Sequence, residues 1–151
     1  MPEQLIFLMG KYEASFPSDR LYVRSHMWFQ AEGGAYRVGF TAFAVRLLQD
    51  VYFLDWSIEP GSIVQVKQEI GEIESSKAVS TLHAPASGTL LVFNKELMKD
   101  PTPINVDNYG EGWLFDFEPK DANLLSAAEY VKYLEGAWEE TQQTIKGQMH
   151  D

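Results

Sequence analysis

The sequence predicts a mainly β domain followed by a C-terminal helix. Short segments of alternating apolar and polar residues, punctuated by Gly, Pro, Asn and Asp, run from Leu21 to about Phe117. After Pro119 the apolar period changes to that of an amphipathic helix. We therefore divide the chain into an N-terminal extension (1–20), a β domain (21–118) and a helical C-terminal segment (119–151).

The first half of the β domain is predicted to hold three strands and one short helix. Turns containing Gly and Pro bound the strands, and apolar residues three to four positions apart indicate the helix. The strands are predicted at Tyr22–Gln30, Ala35–Thr41 and Val51–Ile58, and the helix at Ala42–Leu48.

The second half centres on Lys77, which lies in a polar turn with a short strand pair on either side. A second turn follows at Ala84–Gly88, and a longer loop is marked by Pro101, Pro103 and Asn108. The segment Trp113–Phe117 is predicted to be the closing strand.

The C-terminal segment begins with Ser126 and Glu129, spaced as in a capping box. The apolar helix face that follows is predicted to contain Ala127, Tyr130, Val131, Leu134, Ala137, Trp138 and Thr141. Residues 1–20 show no comparable pattern, and we expect them to be loose or partly docked.

Composition and charge exclude several classes of function. The chain is 45% hydrophobic and 13% aromatic, as in an ordinary globular protein, and contains no apolar run of the roughly 20 residues that a membrane span needs. The N-terminus lacks a basic segment and a cleavage site, so we expect a cytoplasmic protein. The net charge of −10 disfavours nucleic acid and suits docking onto basic faces of other proteins.

The absence of cysteine excludes disulfides, thiolate metal sites and thiol nucleophiles. The three histidines, His26, His83 and His150, show no ligand spacing, so no metal site is predicted. If the protein takes part in redox chemistry, a cofactor must supply the sulfur.

Lys77 is the candidate site of chemistry. A lysine on a turn is usually only a solvated surface residue, but small residues flank this one: Ser75, Ser76 and Ala78. An enzyme that modifies the amine must take Lys77 into its own active site, and small neighbours on a protruding turn permit this.

Four segments resemble the glycine cleavage system H protein family, over roughly residues 19–135. The segment Gly71–Ser80, with Ala84–Gly88 after it, is similar to the family's lipoylation loop. The other similar segments are Ser25-His26-Met27-Trp28, Val38-Gly39-Phe40-Thr41 and Tyr109-Gly110-Glu111-Gly112-Trp113.

The resemblance implies a lipoyl-domain-type sandwich of two small antiparallel sheets (a barrel-sandwich hybrid), with Lys77 on a hairpin. It implies a carrier without catalytic activity, bearing lipoate covalently on Lys77. The implied partners are a lipoate ligase or lipoyl-transferring enzyme, the glycine cleavage enzymes and dihydrolipoamide dehydrogenase. Glu74, just before the lysine, is expected to guide the modifying enzyme by its charge.

The candidate residues of the arm pocket are His26, Met27 and Thr81. The family has a glutamate at the position of Met27 and an aspartate at that of Thr81, which would face the aminomethyl cation carried in glycine cleavage. Ala42 and Gln49 also replace a family Asp and Gly. One interpretation is that these replacements are tolerated drift, with Glu72 or Glu74 able to compensate for the missing carboxylates. The other, which Met27 and Thr81 favour, is that the arm carries a sulfur adduct for a heterodisulfide-reductase-like complex of sulfur oxidation.

Two further alternatives remain. A biotin carrier also modifies a hairpin lysine, but usually within Met-Lys-Met, whereas this chain has Ser76-Lys77-Ala78. The domain could also be an unmodified β-sandwich that serves only as an interaction module.

Overall fold

The computed structural model describes the backbone of residues 3–150 and the side chains of residues 3–138, which form eleven strands and four helices. The strands are β1 (Gln4–Met9), β2 (Tyr12–Pro17), β3 (Leu21–Val23), β4 (Met27–Glu32), β5 (Ala35–Phe40), β6 (Val51–Trp56), β7 (Ser62–Val64), β8 (Glu69–Ser75), β9 (Val79–His83), β10 (Ser87–Phe93) and β11 (Phe115–Asp121). The helices are α1 (Ala42–Leu48), α2 (Glu96–Lys99), α3 (Pro103–Val106) and α4 (Ala127–His150).

Two antiparallel sheets enclose the main core. The larger has the strand order β3-β4-β5-β11-β10-β7, and the smaller has the order β6-β8-β9. Phe29, Leu90 and Phe117 of the larger sheet lie in one apolar cluster with Leu54 and Ile73 of the smaller sheet. Burial of these side chains stabilises the sandwich, and the predicted mainly β fold class is confirmed.

The first predicted strand is wrong in one respect, because Tyr22–Gln30 is interrupted. The backbone turns between β3 and β4, where the amide of His26 donates to the carbonyl of Val23 over 3.0 Å and His26 has a φ of 71°. The predicted loop at 101–108 also contains the single turn of α3. Neither feature alters the apolar pattern, which is why sequence periodicity does not reveal them.

Residues 4–17 form a β-hairpin of β1 and β2, where the sequence shows no strand pattern. The alternation is hidden because Ile6 and Leu8, on the outer face, are exposed yet as apolar as the buried Phe7 and Met9. The hairpin packs against α1 and α4. Together with Tyr22 of β3, these elements form a second core, whose members include Phe7, Phe16, Phe43, Tyr130 and Leu134.

The C-terminal helix begins as predicted. The amide of Ser126 donates to the Glu129 carboxylate over 2.9 Å, and the amide of Glu129 donates to Ser126 Oγ over 3.1 Å, which confirms the capping box. Tyr130 and Leu134 are fully buried. The predicted face extends to Thr141, which lies outside the described side chains. Within the described residues, no helix is both long and apolar enough to span a membrane.

Candidate functional site

Lys77 lies at the tip of the hairpin that joins β8 to β9, where Glu74 and Val79 form the last residue pair of the ladder. The amide of Ser75 donates to the carbonyl of Ala78 over 2.9 Å and closes the turn. The buried hydroxyl of Ser75 also lies 3.4 Å from the amide nitrogens of Lys77 and Ala78, and 3.3 Å from the Ala78 carbonyl. Ser75 therefore orders the backbone of the turn from within.

A second contact ties the turn to α1. Both the amide and the hydroxyl of Ser76 donate to the carbonyl of Gln49, over 3.1 Å and 3.0 Å. Gln49 is the C-cap of α1 and has a φ of 52° and a ψ of 125°, a conformation strained for any residue with a Cβ. The Gly-to-Gln departure noted in the sequence thus falls on the residue whose carbonyl holds the lysine turn.

The side chain of Lys77 itself is exposed. Within residues 3–138 it forms no ion pair. Ser76 and Ala78 beside it are also exposed, and neither is bulky. The structure therefore presents a fixed backbone with an unobstructed amine.

Glu74 lies in the middle strand of the small sheet, one ladder position from the turn. Its cross-strand neighbours are Phe53 on β6 and Val79 on β9, which are 42% and 59% exposed. Glu74 is half-buried between them. This row gives the base of the lysine hairpin a face that is both apolar and negatively charged.

A groove of about 180 Å³ opens beside the hairpin, between α1, β9 and the turn before β4. Of the predicted pocket residues, His26 and Thr81 line this groove together with Ser80 and Leu82. Met27 does not line it, because its side chain is 4% exposed and packs in the main core. The apolar part of the lining consists of Phe40, Ala44, Leu47, Leu48, Ile73 and Leu82.

His26 connects the groove to the second core. Its Nδ1 lies 2.8 Å from the hydroxyl of Tyr130, which lies 3.0 Å from Oγ1 of Thr41. Its ring centroid is 4.5 Å from that of Phe43. Burial lowers the pKa of His26 to about 4, so the ring is neutral at pH 7.

The hydrogen-bond network assigns the tautomer of His26. Thr41 is fully buried, and its hydroxyl already accepts from the amide of Ala44. If the Thr41 hydroxyl donates to Tyr130 and the Tyr130 hydroxyl donates to His26 Nδ1, both hydrogens are satisfied. The opposite direction leaves the buried Thr41 hydrogen without an acceptor, which is costly. His26 therefore carries its proton on Nε2.

The groove is electrically neutral. No Asp, Glu, Lys or Arg is among its lining residues, and the titratable group it contains, His26, is uncharged at pH 7. Glu72, which could compensate for a missing carboxylate, pairs in the ladder with Asp55 and Thr81 and is exposed. Neither Glu72 nor Glu74 lines the groove. The groove therefore suits an apolar, uncharged group better than a cation.

Two of the sequence motifs have a structural role. A Cβ at Gly39 would lie 2.5 Å from the indole of Trp28, so the glycine lets the two strands pack closely. The Trp28 indole in turn donates to the carbonyl of Asn108 over 3.0 Å. The hydroxyl of Tyr109 donates to Ser15 on β2 and accepts from the amide of Ala42 on α1. These residues hold α1 and the hairpin of β1 and β2 in place, and they do not line the groove.

Sequence reasoning missed Gln49, Phe43 and Tyr130 as supports of the site. Gln49 acts through its carbonyl, which residue type does not reveal. Phe43 and Tyr130 look like ordinary apolar helix positions. As for metals, no group of three or more His, Asp or Glu among the described residues could hold one.

Comparisons with known proteins agree with this architecture. The family model "Glycine cleavage H-protein" matches residues 20–137. The glycine cleavage system H protein of Rubrobacter xylanophilus is 43% identical over 123 residues, covering 81% of this chain and 97% of the relative. That of Herpetosiphon aurantiacus is 40% identical over 123 residues, covering 80% and 95%.

A solved structure is similar as well. The crystal structure of a glycine cleavage system H protein from Mycobacterium marinum superimposes with a TM-score of 0.69 at 38% identity, covering 78% of this chain and 98% of that one. The hairpin of β1 and β2 lies before the region matched by the family model. With most of its length matched at this identity, the chain belongs to the glycine cleavage H-protein family.

Proposed function

We propose that the chain is a lipoyl carrier, modified on Lys77, and that it takes part in a reaction sequence without catalysing a step. The observation that carries this proposal is the exposed Lys77 on a backbone fixed by Ser75 and Gln49, next to a neutral groove. A fixed turn confines motion to the long side chain, so that an attached arm would move while the backbone does not.

The residues present fit lipoate. The cofactor would supply a disulfide that can be reduced and can bear cargo, which matches a chain that has no cysteine. Its ring and alkyl chain are apolar, as is most of the groove lining. The groove's polar side chains are those of Ser25, His26, Ser80 and Thr81, which can donate or accept hydrogen bonds and carry no charge at pH 7.

Glu74 supports the same proposal from the other side of the hairpin. Together with Phe53 and Val79 it offers a modifying enzyme an apolar contact and one negative charge, close to the amine it must reach. Charge at such a rim mainly affects the rate and specificity of encounter. The proposed partners are a lipoate ligase or lipoyl-transferring enzyme, dihydrolipoamide dehydrogenase, and the enzymes that load and unload the arm.

The proposal is tested by the intact mass of the protein after incubation with lipoate, ATP and a lipoate ligase. The native chain is expected to gain one lipoyl group and Lys77→Arg none. Lys95→Arg, which changes another lysine, is the matched control and should gain the group as the native chain does. An equal mass gain in Lys77→Arg would show that another residue is modified, and no mass gain in the native chain would refute the carrier function.

Two kinds of cargo remain candidates. The family name points to glycine cleavage, whose enzymes are then the partners. The neutral groove favours a second candidate, a sulfur adduct delivered to a heterodisulfide-reductase-like complex, because a buried cation without a counter-charge is costly. A carboxylate at Thr81 would lie in the groove and would favour a cationic cargo. A carboxylate at Met27 would instead enter the main core.

A further inference from the structure

A second groove, of about 300 Å³, lies next to the first and shares Ser25 with it. Its apolar lining includes Val23 and the segment Ala84-Pro85-Ala86. Arg24, Lys67 and His83 also line it, and Asp121 is the carboxylate among its lining residues. In a chain with a net charge of −10, a groove with more basic than acidic side chains is a local exception.

Lys67 occupies a position that normally belongs to glycine. The amide of Gln68 donates to the carbonyl of Gln65 over 3.0 Å, which closes a β-turn with Lys67 as its third residue. Lys67 has a φ of 70°, where Gly or Asn is the usual residue. A residue with a Cβ in this backbone conformation destabilises the fold by on the order of 1 kcal/mol. A role of the Lys67 side chain in the groove is a reason for lysine to be present despite that cost.

The turn is fastened to the groove. The amide of Lys67 donates to the carbonyl of Ala84 over 2.9 Å, and the amide of Ala84 donates to the carbonyl of Gln68 over 2.8 Å. The amide of Val66 donates to Ser87 Oγ over 3.0 Å. These bonds hold the Lys67 backbone against the segment that lines the groove.

Arg24 is held from another element. Its guanidinium carbon lies 5.4 Å from the centre of the Tyr133 ring on α4, within the range of a cation–π contact. Within residues 3–138, neither Arg24 nor Lys67 forms an ion pair. Both are exposed. Two cations from different parts of the chain thus line one groove, and among the described residues neither forms an ion pair, Asp121 of the same groove included.

We propose that this groove binds a small anion, an oxoanion or a carboxylate, between Lys67 and Arg24. The site requires no modification of Lys77. The link to a cargo rests on the proposed function. Because the anion site shares Ser25 with the first groove, it would bind the charged end of an anionic cargo next to the lipoyl arm. Paired cationic donors are the usual means by which proteins hold oxyanions.

The test uses the full unlipoylated chain, labelled with ¹⁵N, titrated with thiosulfate, phosphate or acetate at an ionic strength held constant with NaCl. Saturable shifts are expected at the amides of Lys67, Ala84 and Arg24. Tighter binding of thiosulfate or phosphate would assign an oxoanion site, and tighter binding of acetate a carboxylate site. No saturable shift with any of the three would overturn the proposal.

Variants distinguish a specific anion site from non-specific electrostatic attraction of anions to the protein. Arg24→Gln and Lys67→Gly should each weaken binding by about tenfold, the loss of one charge-assisted contact. Lys67→Gly should at the same time raise the melting temperature, because it relieves the turn. Lys99→Gln, an exposed lysine elsewhere, is the control and should bind normally. Equal affinity in all four proteins would contradict the proposal, while the mass gain on Lys77 tests the carrier function separately.

Discussion

The hairpin of β8 and β9 that carries Lys77 and the groove beside it are built in different ways. The hairpin is ordered by residues of its own turn, chiefly Ser75, and by one carbonyl of the neighbouring helix. The groove is formed by α1, β9 and the turn at His26, and the second core supports it from behind through Phe43 and Tyr130. The proposed site of modification is therefore local, whereas the groove depends on segments far apart in the chain.

The second core also includes the hairpin of β1 and β2, which precedes the region shared with the family. Phe7 on β1 lies 6.2 Å from Phe43, ring centre to ring centre, and Phe43 lies 4.5 Å from His26. An element outside the family match thus supports one wall of the groove. Changes in this core should disturb the groove and leave the Lys77 turn intact.

The largest expected effect is that of Phe16→Ala. Phe16 is fully buried and makes edge contacts with Tyr22 and Tyr130, so its truncation should lower the free energy of unfolding by about 3–5 kcal/mol. Leu8→Ala, at an exposed position of the same hairpin, should change it by less than about 0.5 kcal/mol. Urea denaturation measures both. Equal, small effects would show that the hairpin is a loose appendage.

The pH dependence of the free energy of unfolding tests the burial of His26 in the groove wall. Its pKa is about 4 in the folded chain and about 6.5 when unfolded, so between these values the unfolded state binds the proton and the folded state does not. Stability should therefore fall as the pH drops from 6.5 to 4, by about 3 kcal/mol from this group. His26→Gln should lack this component, and the imidazole resonances report the pKa directly. A normal histidine pKa would contradict the buried geometry.

The smallest expected effect concerns the Lys77 turn. Gln49→Gly keeps the carbonyl that binds Ser76 and relieves the strained φ, so it should raise the free energy of unfolding by about 1 kcal/mol. Gln49→Ala keeps the Cβ and should show no gain. Thermal unfolding compares the three proteins. A glycine variant no more stable than the native chain would show that Gln49 is not strained.

Much of the fold and the position of the candidate lysine could be predicted from sequence because the relevant patterns are local. Turn residues and alternation located most strands, the Ser126–Glu129 spacing located the start of α4, and the small neighbours of Lys77 singled out that lysine. The N-terminal hairpin escaped because both of its faces are apolar at β1. The different environments of Met27 and His26 were not predicted either. They depend on the turn before β4, where His26 has a φ of 71°, and residue type does not reveal that turn.

The most direct test of the account is glycine-dependent turnover. Lipoylated protein is supplied to purified glycine decarboxylase and aminomethyltransferase, and its turnover is compared with that of an ordinary H protein. Because the groove offers a cation no carboxylate, we expect turnover lower by about tenfold or more. Thr81→Asp, which adds a carboxylate at the groove, should recover part of the loss, and Thr81→Asn should not. Native turnover equal to that of the ordinary carrier would contradict the account and assign this chain to glycine cleavage.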